Sequence, residues 1–137
     1  MSKDDRAAVQ ETIEAVWDCF LKRDPEGMLE RIRPDCTIWD VFQPDLVRRD
    51  TLERYVAKDF AQSQARGKLT HRLYDFVIDL WGDTALARFW IDYEYQPPRA
   101  HRGRIRITVV LRRFPEGWRF VHVHEGQVPS GVPPITS

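Results

Sequence analysis

The sequence predicts an α+β domain in which helices cover one face of an antiparallel sheet. Three observations lead to this prediction. The first part of the chain carries apolar residues at helical spacing. The second part, from Leu69 onward, alternates between apolar and polar residues with a period of two. The connections within this second part are short turns, which join antiparallel neighbours.

Three amphipathic helices are predicted in the first part of the chain. The first covers residues 6–23, where apolar side chains recur at helical spacing. The second begins in "RDPEG", in which Asp24 suits the N-cap and Pro25 the first helical position, and it ends before Pro34. The third begins in "DTLE", a segment that resembles a capping box, and ends at Gly67.

Five strands complete the predicted domain. One of them, residues 36–42, lies between the second and third helices. The other four strands form a meander of residues 69–81, 84–95, 104–114 and 118–126. Short turns, such as the Gly-Asp pair at 82–83, require antiparallel pairing of these strands. Residues 1–128 therefore form one predicted domain, and residues 129–137, with three prolines, form a loose tail.

Length and charge exclude several classes of protein. The 137 residues suffice for one domain with a single core, and the 42% apolar and 31% charged contents are ordinary for a soluble globular protein. The 21 acidic and 21 basic residues give no net charge, which argues against a dedicated nucleic-acid or membrane-surface binder. No apolar run reaches the ~20 residues of a membrane span.

The two cysteines indicate a reducing compartment. Cys19 and Cys36 do not form a CxxC motif, and no signal peptide precedes them. We therefore expect reduced thiols that fill the core of a cytoplasmic protein.

Arginine far outnumbers lysine, and several arginines crowd into residues 99–119. Guanidinium groups pair with carboxylates and phosphates through two parallel hydrogen bonds, so an anionic ligand is one interpretation. Ion pairs on a solvated face are the other interpretation. A weaker hypothesis from the same cluster is that residues 99–113 hold RNA or another polyanion.

The predicted sheet has two unequal faces. On the middle strands, one face is apolar and carries Phe89, Ile91, Tyr93, Ile105, Ile107, Val109 and Leu111. The other face is mixed and carries Arg88, Trp90, Asp92, Arg106, Thr108 and Val110. In one arrangement the apolar face meets the helices and the mixed face meets water. In the other, the mixed face lines a pocket under the helices and the apolar face is buried against a second subunit. The pattern alone does not choose between them.

Two segments, "CTIWDVFQPDLVRRDTLERYVAKDF" and "EGWRFVHVHEGQVP", resemble parts of a known superfamily, the nuclear-transport-factor-2-like proteins, which include ketosteroid isomerase and SnoaL-type polyketide cyclases. The strand, loop and helix of this superfamily are similar to "CTIWDVFQPDLVRRDTLERYVAKDF". The closing strand of SnoaL-like proteins and of the calcium/calmodulin-dependent kinase association domain is similar to "EGWRFVHVHEGQVP". The resemblance extends from Arg6 to about Pro129.

This resemblance implies a curved sheet wrapped around one long N-terminal helix, with two shorter helices, in the cone shape of cystatin-like folds. It also implies an internal pocket for a small organic ligand and a homodimer that forms through the sheet face. The second arrangement of the two faces is therefore the favoured one.

The resemblance to ketosteroid isomerase implies that Asp40 is a general base. The isomerase stabilises its enolate with a helix tyrosine and a protonated strand carboxylic acid, and the matching positions here are Val16 and Val110. Neither valine can donate a hydrogen bond, and such a donor is worth about 10²–10³ in rate. Judged from the residues alone, Asp40 is either a base whose pKa is raised in an apolar cavity or a loop residue bonded to nearby backbone.

A second candidate site lies on the mixed face. Asp92 and Arg88 flank Trp90, a pattern suited to a small polar ligand. SnoaL-type cyclases also work with strand carboxylates, so the resemblance implies that Asp92 is a further catalytic candidate. Arg106 and Thr108 on the neighbouring strand would complete an anion site. A surface ion pair across strands is the alternative.

Two histidines close the last strand. A period of two places His122 and His124 on the same face as Trp118 and Phe120. Three interpretations of this pair compete: the histidines are metal ligands, acid–base groups of a pocket, or residues of a subunit interface. No third ligand accompanies the pair, so no metal site is predicted, and the interface is the favoured position.

The remaining residues expected to contact a ligand are Trp17, Trp39 and Tyr55, with core packing as the alternative. The sequence therefore predicts a protein with a small-molecule pocket. It would act as an acid–base isomerase, cyclase or dehydratase with Asp40 as the base and no cofactor. The alternative is a non-catalytic ligand-binding or oligomerisation domain of the same fold.

Overall fold

The computed structural model describes residues 2–128 of the chain, with side chains from residue 4 onward. It confirms the α+β class, with three helices and an open, curved, five-stranded sheet. The helices are α1, Ser2–Leu21; α2, Pro25–Glu30; and α3, Leu52–Arg66. None of the described helices is long and apolar enough to cross a membrane. The predicted tail, residues 129–137, lies outside the described residues, and the domain boundary before it stays a prediction.

The strands are β1, Ile32–Trp39; β2, Gly67–Trp81; β3, Thr84–Pro98; β4, His101–Phe114; and β5, Gly117–Gln127. They lie in the order β1-β5-β4-β3-β2, and β2 to β5 form the predicted antiparallel meander. β1 lies at the edge of the sheet and runs parallel to β5, with Ile38 opposite Val123. β1 starts and ends earlier than predicted, so Asp40 is the first residue after the strand.

The core lies between α1 and the apolar face of the sheet. Val9, Ile13 and Val16 on α1 are buried. They belong to one core cluster with Phe89, Ile91, Ile105, Ile107, Val109, Leu111 and Phe120. Burial of apolar surface contributes about 25 cal/mol per Å², which favours this face as the one covered by the helices. The arrangement in which the mixed face lines the pocket is therefore wrong, and we call the mixed face the outer face.

Local signals set the helix ends. Asp24 caps α2 as predicted and accepts a hydrogen bond from the Gly27 backbone N–H at 3.0 Å. α3 ends at Gly67, whose φ of 123° favours glycine. A Cβ at Gly67 would lie 2.7 Å from the Gln96 carbonyl oxygen. The predicted capping box does not form, because Thr51 is the N-cap residue and makes no side-chain bond to the helix.

Both cysteines are free, buried thiols. Cys36 is fully buried, and this burial raises the pKa of its thiol to about 12. A thiol that keeps its proton is a poor nucleophile. Cys36 therefore acts as a packing group.

A β-bulge in β5 decides which of its side chains face inward. Leu111 of β4 pairs with Phe120, whereas Val110 pairs with His122. Val121 is therefore an extra residue in β5, with no partner of its own on β4.

Alternation restarts on the far side of the bulge. Val123 and Glu125 face the helices, while His122 and His124 face outward. The predicted grouping of the two histidines with Trp118 is wrong, because strict alternation does not hold across the bulge.

Candidate active site

A cavity of about 490 Å³ lies between the helices and the inner face of the sheet. Its wall is mainly apolar and includes Val16, Trp17, Phe20, Ile32, Ile38, Ile91, Ile105, Ile107, Phe120 and Val123. Small-molecule sites typically measure about 300–1,000 Å³, so the cavity is large enough to hold a small organic ligand. Its apolar wall makes any charge within it difficult to solvate.

Three carboxyl groups and one phenol share one side of this cavity. Asp40 directly follows β1, and Tyr55 and Asp59 lie one turn apart on α3. Glu125 is turned inward by the β5 bulge. Because β1 and β5 run side by side in the same direction, their ends bring Asp40 next to Glu125. We call these four residues the acidic cluster.

Asp40 accepts hydrogen bonds on both of its carboxyl oxygens. The Phe42 backbone N–H donates to Oδ1 at 2.6 Å, and the Tyr55 hydroxyl donates to Oδ2. Asp40 therefore bonds the loop backbone, as one interpretation of the sequence predicts, and it also lines the cavity, which the other interpretation requires.

Glu125 accepts a hydrogen bond from the Val41 backbone N–H at 3.3 Å. Burial raises the pKa of the Glu125 carboxyl well above 4.5, and the negative charge of Asp40 raises this pKa further. Glu125 therefore keeps its proton to a higher pH than an exposed glutamate does, and it lies beside Asp40.

The other two members of the acidic cluster also have raised pKa values. Burial, followed by the negative charge of Asp40, raises the pKa of Asp59 from 3.8 to about 7, against the opposing effect of Arg66. Burial and the charges of the nearby carboxylates raise the pKa of Tyr55, so its phenol remains a donor. The cluster thus combines two carboxyl groups and a phenol of raised pKa with the hydrogen-bonded carboxyl group of Asp40 in one apolar cavity.

The last turn of α3 adds polar groups to another part of the cavity wall. The hydroxyl oxygens of Ser63 and Tyr95 lie 2.8 Å apart. The Arg66 guanidinium carbon lies 5.6 Å from the Tyr95 ring centroid and 5.6 Å from the Phe42 ring centroid. All four residues line the cavity.

Five predicted site residues, one a catalytic candidate and four expected to contact a ligand, lie on the outer face of the sheet, away from the cavity. They are Arg88, Trp90, Asp92, Arg106 and Thr108. Asp92 accepts hydrogen bonds from the Tyr74 hydroxyl and from Arg104 Nε, both at 2.9 Å. Arg88 pairs with Asp79. The structure therefore corrects their expected position, because they alternate with the side chains that the helices cover. Arg88 and Asp92 form ion pairs across strands instead.

The last strand and the end of β1 also present predicted site residues outward. Trp39 is 41% exposed, and His122 Nδ1 lies 2.8 Å from the Thr37 hydroxyl. His124 is exposed. Over residues 2–128, no group of three or more His, Cys, Asp or Glu side chains is placed to hold a metal ion. The predicted site residues that do line the cavity are Trp17, Asp40 and Tyr55.

Sequence reasoning does not identify Asp59 or Glu125. Asp59 has a usable signal, because it lies four residues after Tyr55 and therefore on the same face of α3. Glu125 has no such signal, because the bulge at Val121 reverses the side that alternation assigns to it.

Solved structures share this fold at low sequence identity. A candidate dehydratase of the nuclear-transport-factor-2-like family from Streptomyces avermitilis superposes with a TM-score of 0.84 at 19% identity, over 95% of this chain and 100% of its own. A candidate ketosteroid isomerase from Shewanella frigidimarina superposes with a TM-score of 0.73 at 15% identity, over 87% and 94%. A candidate calcium/calmodulin-dependent protein kinase II association domain from Xanthomonas campestris gives a TM-score of 0.72 at 13% identity, over 89% and 86%.

Sequence comparison gives the family. No curated protein matches this chain in sequence. The profile of the SnoaL-like domain matches residues 9–129, which is most of the chain and agrees with the cystatin-like fold of the structural neighbours. The chain therefore belongs to the SnoaL-like domain family, within the nuclear-transport-factor-2-like superfamily.

Proposed function

We propose that this protein is an acid–base enzyme that moves a proton on a small organic molecule, as an isomerase, cyclase or dehydratase does. The observation that carries the proposal is the Asp40 carboxyl group, held by two hydrogen-bond donors in an apolar cavity beside Glu125, whose pKa is raised. Two carboxyl groups in opposite protonation states can act as base and acid in one step.

In the proposed step, Asp40 takes a proton from a carbon atom next to a carbonyl group of the substrate. The electron pair of the broken C–H bond moves toward the carbonyl oxygen, which receives the Glu125 proton. The product is an enol, with Asp40 protonated and Glu125 ionised. Return of a proton to a different carbon gives an isomer, and loss of a neighbouring hydroxyl group as water gives a dehydrated product. Both outcomes return the two carboxyl groups to their starting states.

The surroundings of Asp40 and Glu125 support this chemistry. The Tyr55 hydroxyl donates to Asp40 and thereby positions it. Val16 lines the cavity and cannot donate, so the donor arrangement of ketosteroid isomerase is not reproduced at this position. Glu125 supplies a donor from β5 instead. The apolar wall excludes water and strengthens a hydrogen bond to the developing negative charge.

The names of the structural neighbours support the same class of reaction. One is a candidate dehydratase and another is a candidate ketosteroid isomerase. Proton transfer between carboxyl groups and a substrate uses side chains alone, so the proposed reaction requires no cofactor.

Deuterium incorporation tests this proposal without a known substrate. Cyclic ketones, enones and β-hydroxy carbonyl compounds are incubated with the protein in heavy water and followed by NMR. For a compound whose protons the wild type exchanges, Asp40→Asn should lower the exchange rate by a factor of about 10² or more. Asp92→Asn, a matched change on the outer face, should retain the wild-type rate. Equal rates for wild type and Asp40→Asn would refute the role of Asp40, and binding without exchange would indicate a non-catalytic ligand-binding domain.

We also propose that two copies of the chain associate through the outer face of the sheet, in the cytoplasm. Val77 and Trp81 are 56% and 61% exposed there, which supports an interface. One structural neighbour is named as an association domain, and the two free thiols favour a reducing compartment. Sedimentation velocity should show a dimer for the wild type and a monomer for Trp81→Glu. A monomeric wild type would refute the interface.

A further inference from the structure

The proposed proton transfer uses none of the cationic groups that line the cavity; of these, Arg54 and Lys58 are exposed and Arg66 is half-buried. Arg66 is the last residue of α3, is half-buried and lines the cavity. Its guanidinium carbon lies between the rings of Phe42 and Tyr95, 5.6 Å from each ring centroid. Two aromatic rings therefore restrict the orientation of the guanidinium group.

The donors of this guanidinium are available to a ligand. Among the described side chains, Arg66 forms no salt bridge. Arg104 and Arg113, by contrast, each pair with an aspartate. The hydroxyl groups of Ser63 and Tyr95 line the same part of the cavity and lie 2.8 Å apart. A half-buried guanidinium beside two hydroxyl groups is suited to bind a carboxylate.

The arrangement along α3 gives a bound anion a defined orientation. The axial rise from Tyr55 to Arg66 is about 16 Å, and both residues line one cavity. A single molecule can therefore present a neutral carbonyl group to Asp40 and an anionic group to Arg66. The reverse orientation would place the anion against the carboxyl groups of the acidic cluster, where like charges repel in an apolar surrounding.

We propose that the substrate is a carboxylic acid whose carboxylate pairs with Arg66 while its apolar skeleton fills the cavity. This inference rests on the proposed function, because it assigns the substrate class of the same site. A carboxylate is favoured over a phosphate dianion, since the acidic cluster lines the same cavity and repels a second negative charge.

Matched ligands test the role of the charge without requiring turnover. Benzoate, cinnamate and naphthoate are each compared with their own carboxamide by isothermal titration calorimetry on the full chain. The variants are Arg66→Gln and Lys68→Gln, each of which removes one positive charge. Lys68 is exposed and does not line the cavity, so it serves as the matched control. At least one carboxylate should bind the wild type about tenfold more tightly than its amide.

Arg66→Gln should abolish this preference and leave the affinity for the amide unchanged, which also shows that the variant is folded. Lys68→Gln should keep the preference for the carboxylate. Arg66→Lys should keep part of it, because the positive charge remains but the two parallel hydrogen bonds of the guanidinium group are lost. The inference is overturned if no carboxylate binds more tightly than its amide, or if the preference survives in Arg66→Gln. Neither result bears on deuterium exchange by Asp40, so the two proposals fail in distinguishable ways.

Discussion

The half-buried carboxyl group of Asp59 makes the stability of the fold depend on pH. Burial, followed by the negative charge of Asp40, raises its pKa from 3.8 to about 7. The folded chain therefore holds this proton more tightly than the unfolded chain does. The contribution to the free energy of unfolding is complete at a pH below the unfolded pKa, declines as the pH rises toward about 7, and is constant above that value.

The size of this effect follows from the change in pKa. One pH unit corresponds to about 1.4 kcal/mol, so the full change corresponds to about 4 kcal/mol lost between about pH 4 and pH 7. Glu125, whose pKa is also raised, acts in the same direction. The pH dependence of the wild type alone therefore contains both contributions.

Asp59→Asn isolates one of the two contributions, because the amide has the shape of the acid and cannot ionise. Urea unfolding should give similar free energies for wild type and variant at about pH 4, and a variant more stable by about 2–4 kcal/mol at about pH 8. Glu53→Gln removes an exposed carboxylate from the same helix and should follow the wild type. If the free energies of unfolding of wild type and Asp59→Asn changed with pH in the same way, the reasoning would be refuted. Asp59 would then have the same pKa in the folded and the unfolded chain.

Three further predictions concern the site and the fold. Tyr55→Phe removes the donor to Asp40 and should cost about 1 kcal/mol in urea unfolding while slowing deuterium exchange; an unchanged exchange rate would contradict the positioning role. Glu125→Met replaces a half-buried acid by an apolar side chain, so at about pH 8 it should raise the thermal midpoint and abolish exchange, whereas a lower midpoint would count against a raised pKa. Gly67→Ala should cost about 1–3 kcal/mol, because its φ is 123° and its Cβ would meet a backbone oxygen at 2.7 Å. Gly82→Ala is the control and should cost less, because nothing lies within 4 Å of its Cβ; equal losses would show that the contact at Gly67 is unimportant.

The helices and strands could be predicted because each carries a local signal. Asp24 and Pro25 start α2, Gly67 ends α3, and alternation marks the four strands of the meander. The partner of β1 could not be predicted in the same way. Its pairing with β5 joins segments that are distant in the chain, and the periodicity of a strand carries no information about its neighbour.

The orientation of the sheet needed information beyond alternation. The pattern separates Ile91 from Asp92 but does not say which of the two faces the helices cover. In the structure, burial of the apolar face against α1 decides this, and it removes Arg88 and Trp90 from the cavity together with Asp92. The resemblance favours the opposite arrangement, because it implies a sheet-to-sheet dimer that would bury the apolar face.

A single extra residue, Val121, accounts for both errors on the last strand. Strict alternation from Trp118 would carry the inward face on to His124 and would leave Glu125 in solvent. The bulge instead turns the two imidazoles outward and brings the Glu125 carboxyl into an apolar cavity beside Asp40, where burial raises its pKa. β-Bulges commonly lie next to active sites because they redirect a side chain. The departure from regular alternation is thus the feature that builds the proposed acid–base pair, and a regular strand would place no acid opposite the base.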